Sequence, residues 1–219
     1  HDASSEASLQ ERCQNLHQKA TLDPMTQVAN RAEFDRVLAM FVAAHQEQRF
    51  PCSMMICDLD LFKRVNDTYG HQAGDDAIKS LAALMKSCAR AGDLVARYGG
   101  EEFVMLCADC DNATAARRAE DIRKKLSVMA QPRLEGHTIS ASFGVTEVQR
   151  GDTPETMLAR SDRALYEAKN RGRNIVVQLG CGLGRGRSDE QDGASPAVAS
   201  RSPLLVEQEL VTGVPMSVA

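Results

Sequence analysis

Leu94-Val95-Ala96-Arg97-Tyr98-Gly99-Gly100-Glu101-Glu102-Phe103-Val104-Met105-Leu106-Cys107 is the stretch that decides the fold. Mostly apolar residues fill 94–97 and 102–107, and a Gly-Gly pair sits between them, so the pattern predicts two short strands joined by a tight hairpin. Toward the N-terminus, Cys52 to Cys57 is an almost unbroken apolar run, the mark of a strand covered on both faces, and Asp58, Leu59 and Asp60 close it. Ahead of it, Asn30 followed by Glu33 predicts a capping box. Phe34, Leu38, Phe41 and Val42 then share one helical face to about Gln48. Ile78, Leu81, Ala82, Met85 and Cys88 form another helical stripe ending near Ala89, and the polar stretch from Asn66 to His71 is rich in turn residues. Toward the C-terminus, Ala115, Ala119, Ile122, Leu126 and Met129 mark a long helix. Ile139, Ala141, Phe143 and Val145 alternate with Thr138, Ser140, Ser142 and Gly144, which predicts a strand with one core face and one polar face. Thr153-Pro154 caps a last helix carried by Met157, Ser161, Leu165 and Ala168 and stopped by Gly172; Asn174 to Leu179 is a final short strand. The order is β-α-β-β-α-β with an added α-β unit, an α+β, ferredoxin-like sandwich with helices flanking a five-stranded, mainly antiparallel sheet.

Composition bounds the rest. The chain has 219 residues, 43% hydrophobic and 26% charged, enough for a globular domain with a real core. No apolar run approaches the roughly 20 residues that cross a bilayer, and the polar stretch from His1 to Ala20 lacks a signal-peptide core. Opening on His1 rather than Met, the sequence is expected to be a piece of a longer protein, whose remaining segments could anchor it to a membrane. A net charge of −4 supplies no global basic field, so nucleic acid is not an expected partner, and an anionic ligand needs local cations and metal. Seven scattered cysteines, with Cys107 and Cys110 as a single C-x-x-C, read as buried or incidental thiols in a reducing compartment, hence a cytoplasmic location. Leu9, Cys13, Leu16 and Ala20 give residues 1–22 the seam of a short coiled coil or signalling helix, with a frayed leader as the alternative. Residues 180–219 hold clustered Gly and Pro and no aromatic residue, a low-complexity, disordered tail. The expected domain is therefore 23–179.

Two pairs of acids stand out. Asp58 and Asp60, two residues apart at a strand end, point to one side of the sheet, although a solvated strand end or a cap would use them equally well. Glu101 and Glu102 follow the Gly-Gly turn, where an ordinary acidic hairpin is the alternative. If the Asp58 strand pairs beside the hairpin, Asp58 and Glu101 face each other across the sheet edge and repel unless a hard cation separates them. Mg²⁺ accepts a few carboxylates while keeping positions for phosphate oxygens. Gly99 and Gly100 remove side chains where a nucleotide must approach. Lys63, Lys169 and Arg173 offer cations for a triphosphate, although the latter two also suit a helix C-terminus, and Asp75 also suits a helix N-cap.

The run Arg97-Tyr98-Gly99-Gly100-Glu101-Glu102-Phe103 resembles the signature of GGDEF domains, in its GGEEF form. The resemblance extends through Asp23-Pro24-Met25-Thr26 with Asn30-Arg31, Asp58-Leu59-Asp60-Leu61-Phe62-Lys63, Asn66-Asp67 with Gly70-His71, and Gly74-Asp75. It continues through Ser142-Phe143-Gly144-Val145, Ala164 to Lys169 and Gly172-Arg173-Asn174, covering about residues 20 to 179 in order and spacing. Met25 replaces the usual Leu, a volume-conserving change. The resemblance implies a nucleotidyl-cyclase palm that condenses two GTP into cyclic di-GMP, releasing two pyrophosphates. It implies that Asp58, the Leu59 carbonyl and Glu101 hold Mg²⁺, with Mn²⁺ as a substitute. Asn66 and Asp75 would read the guanine edge; Lys63, Lys169 and Arg173, with the N–H groups of Leu61 and Phe62, would hold phosphates. A branch of the family with Ser at the position of Asp75 tolerates adenine, so Asp75 favours GTP.

Arg90-Ala91-Gly92-Asp93 matches the family's R-x-x-D product-inhibition site, where Arg90 would grip guanine and phosphate and Asp93 a guanine edge; a solvated loop is the alternative. Because a 3′-hydroxyl of one GTP must attack the α-phosphorus of another, two domains must meet as a homodimer, with Glu102 a candidate to assist deprotonation. The leader would relay a signal from an upstream sensor. The competing expectation is a non-catalytic module that binds cyclic di-GMP through Arg90 and Asp93, or a GTP-binding module attached to a phosphodiesterase domain.

Overall fold

A computed structural model describes residues 20–180. The expected leader and tail, apart from residues 20–22 and 180, lie outside the described residues. Among the described residues, and after a helical end at 20–21, five helices and five strands run α1 (Arg31–Gln48), β1 (Cys52–Leu59), α2 (Phe62–Tyr69), α3 (His71–Cys88), β2 (Leu94–Arg97), β3 (Glu102–Ala108), α4 (Asn112–Val128), β4 (Ala141–Glu147), α5 (Pro154–Asn170) and β5 (Val176–Leu179), with a 3₁₀ turn at Pro132–Leu134. The sheet order is β2-β3-β1-β4-β5. Three pairings are antiparallel and β4 with β5 is parallel, so the sheet is mixed, with the antiparallel majority that the sequence predicts.

Strand alternation divides the core in two. Met55, Cys57 and Leu59 of β1, Phe103 and Met105 of β3, and Phe143 and Val145 of β4 pack with Ala77, Leu81 and Met85 of α3 and Ala115, Ala119 and Ile122 of α4. Met54 and Ile56, with Val104 and Leu106, pack instead against Phe34, Leu38 and Val42 of α1 and Met157 and Leu165 of α5. The same parity carries Asp58 onto the α1/α5 face, and Glu102, its register partner on β3, with it.

Three expectations need correction. The turn-rich reading of Asn66 to His71 is replaced by two helices, α2 and α3, meeting at Gly70, whose φ of 84° only glycine adopts cheaply. Asp75 is inside α3 and not its cap. β4 has no polar surface, because every residue of the strand is buried. Gly144 faces α5 so closely that a methyl group there would meet the backbone of Ser161 and Leu165, and the Ser142 hydroxyl is satisfied by Asp60 at 2.6 Å. The β2–β3 hairpin, by contrast, is where the sequence puts it, with Tyr98 to Glu101 as its loop, although neither Gly99 nor Gly100 has a positive φ. The polypeptide turn does not require those glycines.

Candidate active site

The sheet edge where β1 ends is built by the turn that follows it. Leu61 adopts a left-handed φ of 54° and redirects the chain into α2; its carbonyl takes up the Arg64 N–H at 2.8 Å, and the N–H groups of Leu61 and Phe62 ahead of it have no acceptor one turn back within the helix. Across the edge, the Leu59 N–H donates to the Glu101 carbonyl at 3.4 Å, so β1 is tied to the Gly99–Gly100 turn. From the other side, Arg173 and Asn174 take φ values of 62° and 49° beyond the end of α5. The strain of these conformations is offset by Arg173 N–H donating to Ala168 and Asn174 N–H donating to Asp60 at 2.9 Å. The result is one cavity of about 240 Å³ lined by Asp58, Leu59, Asp60, Leu61, Phe62, Lys63, Glu101, Lys169 and Arg173.

Asp58 and Asp60 differ in what they have left to give. Asp60 accepts from the hydroxyls of Ser140 (2.7 Å) and Ser142 (2.6 Å) and from the Asn174 N–H, which makes it the brace joining β1, β4 and the β5 approach. Asp58 meets a single side-chain cation, the Lys169 ammonium at 2.7 Å. Burial pushes the Asp58 carboxyl above its ordinary range; Lys169 opposes the shift and Asp60 adds to it. Glu101 is raised by burial and then by the Asp58 charge, with Lys169 opposing. Glu102 is raised by burial and by Asp58, again opposed by Lys169.

This donor chemistry fits a hard divalent cation. Two carboxylates share a wall with the Leu59 main chain, burial raises both and the Asp58 charge raises Glu101 further, and Lys169 supplies the positive charge that Asp58 demands. Among the described residues no three His, Cys, Asp or Glu side chains converge, so any bound ion would draw its remaining ligands from water or phosphate oxygens.

Asn66 and Asp75 lie outside the cavity wall. They are neighbours through Gly74, where a methyl group would collide with Asn66 Oδ1 and the Phe62 ring. Glu102, Gly99 and Gly100 stand beside the cavity without lining it. A Cβ on Gly100 would meet nothing within 4 Å, so its side-chain space is open. Arg90 is exposed. Asp93 is not: its side chain is 1% exposed, and it accepts from Arg90 N–H, Ala108 N–H and Arg118. The structure thus brings the phosphate and metal candidates together, leaves the base-reading candidates Asn66 and Asp75 off the cavity wall, and turns Asp93 away from solvent.

Sequence reasoning missed Arg97. Its guanidinium donates to the carbonyls of Gly99 (3.2 Å) and Gly100 (2.8 Å) and bridges to Asp23 at 3.3 Å. It therefore clamps the glycine turn to the entry of the domain. Tyr98 is fixed on the same side by Arg31 over its ring at 4.5 Å and by Phe34 edge-on at 5.6 Å. Adjacency to the glycines is the signal that could have identified Arg97.

Comparison with known proteins matches residues 20–175 to the family described as diguanylate cyclase, GGDEF domain. Diguanylate cyclase DgcM of Escherichia coli is 38% identical over 180 residues, covering 81% of this chain and 42% of that protein. Diguanylate cyclase VdcA of Vibrio cholerae is 37% identical over 175 residues, covering 78% and 50%. The chain thus spans about half the length of these curated relatives. The coiled coil and GGDEF domain of DgcB from Caulobacter crescentus, solved in complex with c-di-GMP, superposes with a TM-score of 0.76 at 32% identity, covering 81% of this chain and 96% of that one.

Proposed function

This chain belongs to the GGDEF family, and from that premise we propose that it is a diguanylate cyclase joining two GTP into cyclic di-GMP. The observation that carries the reading is the cavity in which Asp58, Leu59 and Glu101 share a wall with Lys63, Lys169, Arg173 and the N-terminus of α2. A triphosphate needs cations, N–H donors and a divalent metal, and this cavity has residues that would serve each requirement. Asp58, the Leu59 carbonyl and Glu101 would hold Mg²⁺, with Mn²⁺ as a substitute, and the ion would neutralise charge growing on the phosphates. Lys63, Arg173 and the N–H groups of Leu61 and Phe62 orient the β- and γ-phosphates. The Asp75 carboxylate accepts from the guanine N1–H and N2–H₂ donors, with the Asn66 amide reading the same edge beside Gly74, and the open space at Gly100 admits the nucleotide to the backbone.

Each domain positions one GTP, and the 3′-hydroxyl of one attacks the α-phosphorus of the other as pyrophosphate leaves. Two such events close the ring, so the working unit is a homodimer with facing, antiparallel nucleotides. Glu102, pushed up by burial and by Asp58, stands beside the cavity as the acceptor for the hydroxyl proton. Arg90 is the exposed contact for product in an inhibitory site, with Asp93 shaping its loop from within. A leader helix would bring an upstream sensor's signal to the dimer. Chromatography of a reaction with GTP and Mg²⁺ tests the reading. Cyclic di-GMP should accumulate, faster when two domains are joined by a fused dimerising coil; its absence from the forced dimer would remove the enzyme reading.

A further inference from the structure

The chain between α5 and β5 takes a left-handed path. Gly172, Arg173 and Asn174 have φ values of 117°, 62° and 49°, so two successive residues with side chains hold a conformation that costs L-residues free energy. Asn tolerates that region; Arg is ordinarily rare there. The path matters to the site, because it sets Arg173 on the cavity wall with Lys63 and Lys169. Arg173 is otherwise exposed, and a relaxed loop would carry it off that wall.

The backbone of the loop is held from α5 and from the sheet. Arg173 N–H donates to the Ala168 carbonyl at 3.1 Å. Asn174 N–H donates to Asp60 Oδ2 at 2.9 Å and to Ser142 Oγ at 3.2 Å. The side chain of Asn174 is held from the opposite layer: Arg123 of α4 donates from Nη1 to Asn174 Oδ1 at 2.9 Å. Helices α4 and α5 cover opposite faces of the sheet, so the loop entering the edge strand β5 is gripped from both sides.

The direction of Arg123 is itself fixed. Its Nε and Nη2 donate to Glu120 Oε2 and Oε1 at 2.8 and 2.7 Å. That two-pronged contact occupies one edge of the guanidinium and leaves Nη1 aimed at the loop. An i, i+3 ion pair between solvated side chains contributes little. Here the Arg123 side chain is only 13% exposed, so water is a poor substitute for the Asn174 acceptor. Neither Glu120 nor Arg123 lines the cavity.

We propose that Glu120 and Arg123 form a positioning pair for the nucleotide's phosphates: Arg123 acts through Asn174 to keep Arg173 on the cavity wall, and so sets nucleotide affinity without touching the nucleotide. The inference rests on the cyclase reading of that cavity. It also accounts for Asn at 174, where glycine would take the same φ without strain but would offer Arg123 no acceptor.

Calorimetric titration of the intact chain with a non-reactive GTP analogue and Mg²⁺, paired with amide hydrogen exchange, tests the pair. Arg123→Met should weaken analogue binding about tenfold, because a loop that must be ordered on binding costs affinity. It should also speed exchange at the Asn174 amide by a similar factor. Asn174→Gly keeps the backbone path and should weaken binding to the same extent. The double variant should bind no worse than either single one, since both changes remove the same hydrogen bond. Arg123→Lys should not rescue, as one ammonium cannot both hold Glu120 in a fork and reach Asn174. Losses that add in the double variant, or parent-like analogue binding by Arg123→Met, would overturn the positioning role; an unchanged Asn174 amide would overturn the grip on the loop. Absence of analogue binding by the parent chain would instead remove the cyclase reading, and the exchange rates would then decide the grip alone.

Discussion

Replacing Lys169 by Met should weaken the fold without divalent ions and increase what Mg²⁺ restores. Lys169 Nζ lies 2.7 Å from Asp58 Oδ2, with side chains 34% and 11% exposed. At an effective dielectric near 20 the bare attraction is about 6 kcal/mol. Solvent reaches the ammonium and desolvation opposes the pair, so the net value discounts to about 1–2 kcal/mol. Lys169→Met leaves Asp58 beside Asp60 and Glu101 with no compensating cation, and the melting temperature in EDTA should fall by about 3–6 °C. In the parent chain a divalent ion must draw Asp58 away from Lys169; in the variant it need not. Mg²⁺ should therefore raise the variant's melting temperature further than the parent's, with apparent affinity tighter by about tenfold, the equivalent of about 1.4 kcal/mol. Turnover should nonetheless drop, because a phosphate cation is gone. Thermal melts across a MgCl₂ series provide the assay. Equal Mg²⁺ responses in both proteins would refute the idea that Lys169 holds the place of a metal at Asp58.

Further predictions concern packing, positioning and acid. Gly144→Ala pushes a methyl group into the backbone of Ser161 and Leu165, and urea titration should find about 2–3 kcal/mol lost; a loss under about 0.5 kcal/mol would mean that α5 shifts freely. Arg97→Lys keeps charge toward Asp23 but loses the fork on the Gly99 and Gly100 carbonyls. Turnover should fall about 10–100-fold with little change in melting temperature, and parallel loss of both would indicate a fold defect instead. Burial opposes ionisation of Asp152, but Arg160, the Gln149 N–H and Thr156 outweigh it and hold the carboxyl below its ordinary value. The stability it confers is thus complete above the unfolded carboxyl's pKa and lost as pH falls through the lower folded value. Asp152→Asn should cost about 1–3 kcal/mol at neutral pH and flatten the decline below about pH 4; an unchanged acid limb in equilibrium unfolding would contradict this.

The sheet was legible because its strands carry unbroken apolar runs and its hairpin a glycine pair, signals local to each segment. The helix from Phe62 to Tyr69 was not, because its apolar stripe is only Phe62, Val65 and Tyr69, each partly buried, and its start depends on Leu61 adopting a left-handed φ. The buried second face of β4 depends on Gly144 admitting α5 and on Asp60 satisfying Ser142, contacts between residues far apart in the chain. The phosphate and metal candidates were readable from residue types grouped in motifs. Which carboxylate stays available was not: Asp60 and Asp93 resemble Asp58 in sequence and differ only in the donors that surround them.

Manganese binding tests the central claim most directly. Electron paramagnetic titration of Mn²⁺ with a non-reactive GTP analogue should find tight, nucleotide-dependent binding in the parent chain and its loss in both Asp58→Asn and Glu101→Gln while the fold is retained. Parent-like binding in either variant would contradict the account, because the two carboxylates would then not share an ion.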